Sequence, residues 1–226
     1  MEYNSFPFKA VIFDMDGTLI ASTEADYLAW KKTFEDNGRE LTYEDYFPLL
    51  GIKSADVVEK ELKLEGEKVD KALAKKLEYF EEIVATKGID PIPFAEDLLK
   101  RLRKMPIKIA LATSSRKMKM QMVMTKLDFL KYFDVLVTGE EVHHGKPSPA
   151  IYFLAAEKLG LKPEDCVVVE DAANGVIAAK DAGMKCIAIT TTHAKAQLHR
   201  ADVIIDSFEN LNIQQLFAKQ EIEDRR

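Results

Sequence analysis

Near the start of the chain, Val11-Ile12-Phe13-Asp14-Met15-Asp16-Gly17-Thr18 runs from apolar residues straight into two carboxylates spaced one apart. The apolar run predicts a buried strand that begins near Lys9 and opens into a loop at its C-terminal end. Active sites of open α/β sheets form at that end. Two carboxylates leaving an apolar strand together repel each other and lose hydration, so a cation or a proton must compensate. The pair reads as one nucleophile and one acid/base, with a magnesium ion neutralising both. Taken alone, the same residues also fit a polar Asp-Gly turn.

Three further motifs sit at expected strand ends. Ile109-Ala110-Leu111-Ala112 leads into Thr113-Ser114-Ser115 and then a helix, where hydroxyls and free backbone N–H groups make an anion site. Taken alone, simple N-capping by Ser or Thr is the better explanation of that motif. Gly145-Lys146-Pro147-Ser148-Pro149 holds a lysine in a rigid turn, able to set a point charge over a carboxylate and a phosphate. As an isolated feature it is also an ordinary surface lysine. Val167-Val168-Val169-Glu170-Asp171 ends a buried strand in two acids, hard oxygen ligands suited to Mg²⁺ or a helix N-terminal acid cluster.

The elements that must position these groups alternate. Strand-like runs fall at 11–13, 107–112, 135–138, 166–169, 187–190 and 203–205. One helix follows Ser115, with Leu127 near its end. Another has Ser148 as N-cap and Pro149 at its first position, and stops near Gly160. A third follows Asn174 and ends at Gly183. The alternation predicts an α/β fold with a mostly parallel sheet covered on both faces. Residues 22–92 break the rhythm with helices expected over 23–37, 54–64 and 70–85. They predict a helical domain inserted into a core of 1–21 and 93–226.

The 226 residues, net charge of −6 and 47% hydrophobic content fit a soluble globular chain. They give no global attraction to nucleic acid or an acidic membrane. No apolar stretch approaches a membrane span, and residues 1–5 lack the pattern of a signal peptide. A cytoplasmic protein is the default, with Cys166 and Cys186 buried rather than bridged. His143 and His144 read as a plain loop. The Met118, Met120, Met122, Met124 series is split between core and surface, Tyr27 and Trp30 pack the cap, and 221–226 is a fraying tail.

In this order the four motifs resemble the haloacid dehalogenase superfamily of phosphohydrolases, specifically its β-phosphoglucomutase-like branch, over nearly the whole chain. The resemblance implies a Rossmann-like core and an α-helical cap that closes over substrate. It makes Asp14 the nucleophile and Asp16 the general acid/base, with Thr113 and Ser114 binding the phosphoryl group. Lys146 orients the nucleophile. Mg²⁺ is held by Asp14, the Asp16 carbonyl and Asp171, with Glu170 a ligand or one step removed.

Mutases of that branch carry a cap histidine and a cap arginine. Here Asp26 and Ser54 stand at those places, Lys53 is adjacent, and Lys75 is a looser candidate for a cap lysine. Without a bidentate guanidinium a second phosphate is poorly gripped, and an ionised Asp26 repels it. The expectation is a Mg²⁺-dependent phosphatase acting on a small phosphorylated metabolite, a sugar phosphate, as a monomer or weak dimer. The rivals are a β-phosphoglucomutase with the same nucleophile and a non-catalytic phosphometabolite-binding regulator.

Overall fold

The computed structural model describes residues 8–213. The expectations for 1–5 and 221–226 lie outside them. Six strands run in parallel: β1 (Ala10–Phe13), β2 (Lys108–Thr113), β3 (Val135–Thr138), β4 (Cys166–Glu170), β5 (Lys185–Ile189) and β6 (Val203–Ile205), in the spatial order β3-β2-β1-β4-β5-β6.

Strand periodicity explains why both faces are dry. Val11, Phe13, Ile109, Leu111, Val167 and Val169 point to one face, and Ala10, Ile12, Ala110, Ala112, Cys166 and Val168 to the other. The first face is covered by α5 (Ala95–Leu102) and α6 (Lys117–Lys126), through Leu98, Leu99, Met120 and Val123. The second carries smaller residues, and α7 (Ala150–Leu159) and α8 (Ala173–Asp181) settle on it through Ile151, Tyr152, Ala155 and Val176.

Between β1 and α5 lie α1 (Thr23–Asp36), α2 (Tyr43–Tyr46), α3 (Ser54–Glu61) and α4 (Glu67–Lys87). Trp30, Phe34, Tyr46, Val57, Val58 and Leu73 form an apolar cluster of their own there. The far half of α4 belongs instead with the main core, where Phe80 and Val84 are buried. Tyr27 packs against the cap cluster, and Met118 is exposed while Met120 and Met124 are buried.

Several boundaries differ from expectation. The helix over 54–64 stops at Glu61, because Lys63 takes a left-handed φ of 59°. The helix expected from Pro149 starts at Ala150, with Pro149 rather than Ser148 as its N-cap. No helix was expected before β2. There α5 follows a left-handed Phe94, and its Leu98, Leu99 and Leu102 face the sheet. Cys166 and Cys186 are both free and buried.

Candidate active site

Strands β2, β1 and β4 are neighbours, so their C-terminal ends bring Thr113, Asp14 and Glu170 together. Lys146 follows β3 by a loop and is fully buried. Its Nζ donates to Asp14 Oδ1 and to Glu170 Oε1, each at 2.6 Å. The Tyr152 hydroxyl also donates to Glu170 Oε1, at 2.9 Å, and the backbone N–H groups of Asp171 and Ala172 donate to Oε2. Thr18 and Thr192 donate to the two oxygens of Asp171, at 2.7 and 2.5 Å.

Two glycines make this packing possible. Gly17 has φ of +83°, and a Cβ there would lie 2.2 Å from Asp171 Oδ2. A Cβ on Gly175 would lie 1.8 Å from Glu170 Oε1. Any side chain at either position would displace an acid.

Burial dominates the electrostatics. It pushes the Asp14 carboxyl up to about 7, against the pull of Lys146 and with Glu170 adding to it. Burial, then Glu170 and Asp14, holds Asp171 well above the usual carboxylate range. Lys146 is held above its ordinary value, because Asp14 and Glu170 outweigh the cost of burying it. Asp14, Glu170 and Asp171 each offer an oxygen, all within 4.8 Å of one another. One ammonium leaves this cluster of three acids short of positive charge. A hard divalent cation fits that deficit and that donor set.

A second ionic cluster lies a few residues away and is balanced. Asp16 Oδ1 accepts from Ser22 Oγ at 2.5 Å and Lys119 Nζ at 2.8 Å, and its Oδ2 accepts from Ser115 Oγ at 2.7 Å. Lys119 Nζ also donates to Asp26 Oδ1 at 2.7 Å, which takes a further bond from Lys76 at 2.8 Å. Tyr46 donates to Asp26 Oδ2 at 3.2 Å. Burial alone would raise Asp26, but Lys119 and Lys76 outweigh it and hold the carboxyl well below its ordinary range. Lys119 is raised in turn, since Asp16 and Asp26 more than offset its burial.

The two clusters face a pocket of about 50 Å³ lined by Asp14, Asp16, Asp26, Ser54, Thr113, Ser114 and Asp171, among others. Thr113 is buried, and its Oγ1 accepts the Ser115 N–H at 3.1 Å. The Ser114 hydroxyl is committed to the cap, donating to Gly51 O at 2.7 Å.

Three expectations for the cap need correction. Lys53 does not enter the pocket, because its Nζ donates across the seam to Val142 O at 2.8 Å. Lys75 is exposed and pairs with Glu78, while its neighbour Lys76 is buried and lines the pocket. Asp26 does line the pocket, but its charge is matched by two lysines and presents no bare anion to a phosphate. His143 and His144 lie exposed in a loop, as expected.

Lys76 and Lys119 carry a signal in the sequence. Lys76 interrupts the buried stripe Val69, Ala72, Leu73, Phe80, Val84, and Lys119 begins the stripe that continues with Met120, Val123 and Met124. A cation on the apolar face of a helix needs a buried partner.

A family model described as haloacid dehalogenase-like hydrolase matches residues 11–189. The chain belongs to this family. Among its haloacid dehalogenase-like relatives, hexitol phosphatase A of Escherichia coli is 34% identical over 206 residues, covering 91% of this chain and 94% of that one. Validoxylamine A 7'-phosphate phosphatase of Streptomyces hygroscopicus subsp. limoneus is 33% identical over 208 residues, 88% of this chain and 93% of that one. In fold the chain is similar to β-phosphoglucomutase from Clostridium difficile. The TM-score is 0.85 at 24% identity, covering 97% of this chain and 100% of that one. This hydrolase has no helix among its described residues that is long and apolar enough to cross a membrane.

Proposed function

We propose that this protein is a Mg²⁺-dependent phosphatase that hydrolyses a small phosphorylated metabolite of the sugar-phosphate class. The carrying observation is Asp14, buried at a strand end, bonded to Lys146 and grouped with Glu170 and Asp171 on the floor of a pocket. The names of the phosphatase relatives support the substrate class. Two free, buried cysteines suit a reducing cytoplasm.

Asp14 attacks phosphorus through a carboxylate oxygen, the P–O bond to the alcohol breaks, and an aspartyl-phosphate forms. Asp16 has to enter the cycle protonated: it then donates that proton to the departing alkoxide and regains one from the water that releases inorganic phosphate. Lys146 offsets the charge of nucleophile and phosphoryl group, and Thr113 holds a phosphoryl oxygen. Asp14, the Asp16 carbonyl and Asp171 would hold Mg²⁺, which when bound neutralises phosphoryl and carboxylate charge. Glu170 orients Lys146 instead, because each of its oxygens already accepts two donors, whereas each Asp171 oxygen accepts a single threonine hydroxyl and keeps a free lone pair.

A phosphate-release screen over sugar phosphates, nucleotides and pyrophosphate with Mg²⁺ tests the reading. Turnover on a sugar phosphate that vanishes in Asp14→Asn is expected. Silence across the panel would overturn it. Given β-glucose 1-phosphate with glucose 1,6-bisphosphate as primer, the expected product is mainly free phosphate. Glucose 6-phosphate forming faster would favour a mutase.

A further inference from the structure

Asp171 is held from a side of the site that the reaction does not use. The loop after β5, Thr190-Thr191-Thr192-His193, runs past the end of β4, because β4 and β5 are paired neighbours. Thr191 Oγ1 donates to Gly17 O at 2.5 Å, which pins the loop against the turn that follows Asp16. Thr192 Oγ1 donates to Asp171 Oδ2 at 2.5 Å and lies 3.0 Å from His193 Nδ1. His193 is buried, and Phe47 of the cap packs on its ring, with centroids 4.7 Å apart and planes at 42°. We propose that Phe47, His193 and Thr192 are positioning residues that couple the seating of the cap to the affinity of Asp171 for a divalent cation. The proposal rests on the metal-dependent phosphatase reading and deepens it.

The proton count sets the direction of the relay. A hydroxyl has one proton to give. The Asp171 carboxylate is the charged and nearer acceptor, so it takes that proton. The 3.0 Å contact is then the Nδ1–H of His193 donating to Thr192 Oγ1. These two bonds leave the Thr192 hydroxyl a single orientation, with its hydrogen on Asp171. Water reaching the imidazole would compete for both bonds, and Phe47 shields that ring from the cap side. Phe47 opens the turn Phe47–Leu49, which leads directly into Leu50 and Gly51 on the wall of the reaction pocket. One short segment of the cap therefore touches the pocket at one end and the Asp171 relay at the other. Loss of a hydrogen-bond partner of a metal ligand typically weakens the metal by about 10- to 100-fold. Such coupling is reciprocal: a cap contact that tightens cation binding is itself tightened by the cation. A merely space-filling Phe47–His193 pair would leave cation affinity unchanged.

The test reads cation binding rather than turnover. Mg²⁺ is titrated calorimetrically into the metal-free, full-length protein without substrate. Thr192→Val keeps the side-chain shape and removes the hydroxyl, and should weaken Mg²⁺ by about tenfold, whereas Thr192→Ser should stay within about twofold of wild type. His193→Phe, which keeps a ring under Phe47 but removes the donor, and Phe47→Ala should each weaken Mg²⁺ by about three- to fivefold. Adding Phe47→Ala to Thr192→Val should cost nothing further, since the relay is already cut. Saturating Mg²⁺ should slow amide hydrogen exchange over residues 47–52 in wild type and leave it unchanged in Thr192→Val. That exchange measurement tests the cap end of the relay without a substitution at Phe47. Unchanged Mg²⁺ affinity in Thr192→Val, a Phe47→Ala effect that adds in full to it, or wild-type exchange indifferent to Mg²⁺ would overturn the proposal. Failure of the phosphatase reading looks different: the relay pattern would be present, yet wild-type protein with Mg²⁺ would release no phosphate from any ester. Wild-type protein that takes up no Mg²⁺ would overturn both.

Discussion

The molecule holds two buried ionic clusters within reach of one pocket, and they are built on opposite principles. Asp14, Glu170 and Asp171 share one ammonium, Lys146. Asp16 and Asp26 share two, Lys119 and Lys76. The first is anionic in excess, and a buried excess of charge is costly until a ligand compensates it. The second is neutral and complete, and it ties the cap helices α1 and α4 to the core helix α6. Proximity alone therefore does not mark a binding site. The unbalanced cluster is the one that could take a cation, and the proposed function seats the phosphoryl group beside it, while the balanced one holds Asp16 in place.

The largest effect should come from breaking the unbalanced cluster. Asp14→Asn should abolish phosphate release while the protein stays folded. The two clusters also respond to pH in opposite senses. In metal-free protein the raised Asp14 carboxyl binds a proton that the unfolded chain releases near pH 4, so stability falls as pH rises from about 4 towards 7. The depressed Asp26 carboxyl contributes stability that is complete above its unfolded value near 4 and is lost as pH falls towards its folded one. Metal-free Asp14→Asn should accordingly melt above the wild type, by a margin that is larger at pH 8 than at pH 5. A margin independent of pH would break the contrast.

Asp171→Ala sharpens the same side. EDTA should abolish wild-type activity, and Mg²⁺ should restore it and raise the melting temperature. In Asp171→Ala the Mg²⁺-dependent rise should largely disappear. Full activity in metal-free buffer would remove the cation from the argument.

Breaking the balanced cluster should be milder for chemistry and harsher for stability. Lys119→Met leaves Asp26 with one ammonium and Asp16 with two hydroxyl donors. It should cost about 3 kcal/mol in chemical denaturation, the scale of an orphaned buried partner. It should also lower kcat by about tenfold, since a misplaced acid/base loses part of its 10²–10⁴ contribution. Lys119→Arg should recover part of both. Unchanged kcat in Lys119→Met would leave the cluster a purely structural tie. The smallest effect belongs to Lys75→Ala, which removes an exposed pair with Glu78 and should change neither the melting temperature nor KM.

The core of the site was legible in the sequence because each piece is local. Asp14, Thr113 and Glu170 each stand at the end of an apolar run, and parallel strands place all such ends on one edge of the sheet. Lys146 was legible as a lysine in a proline loop, though its full burial between two carboxylates was not. The cap was read less well. The sequence names Lys75 and not Lys76, and sets Lys53 beside the place of a pocket arginine, because which side of α4 or of the 50–54 loop faces inward depends on how the cap docks.

The sequence alone determined the order of the strands, the run of helices between the first two of them, α5 excepted, and the residue types at the strand ends. These follow from apolar periodicity, helix stops and turn residues acting over a few positions. Tertiary structure decided the charge balance. Whether Asp26 repels a phosphate or is neutralised depends on Lys119, 93 residues away, and Lys76, 50 residues away. Electrostatic compensation is settled by distance in space and by burial, and neither is a property of sequence spacing.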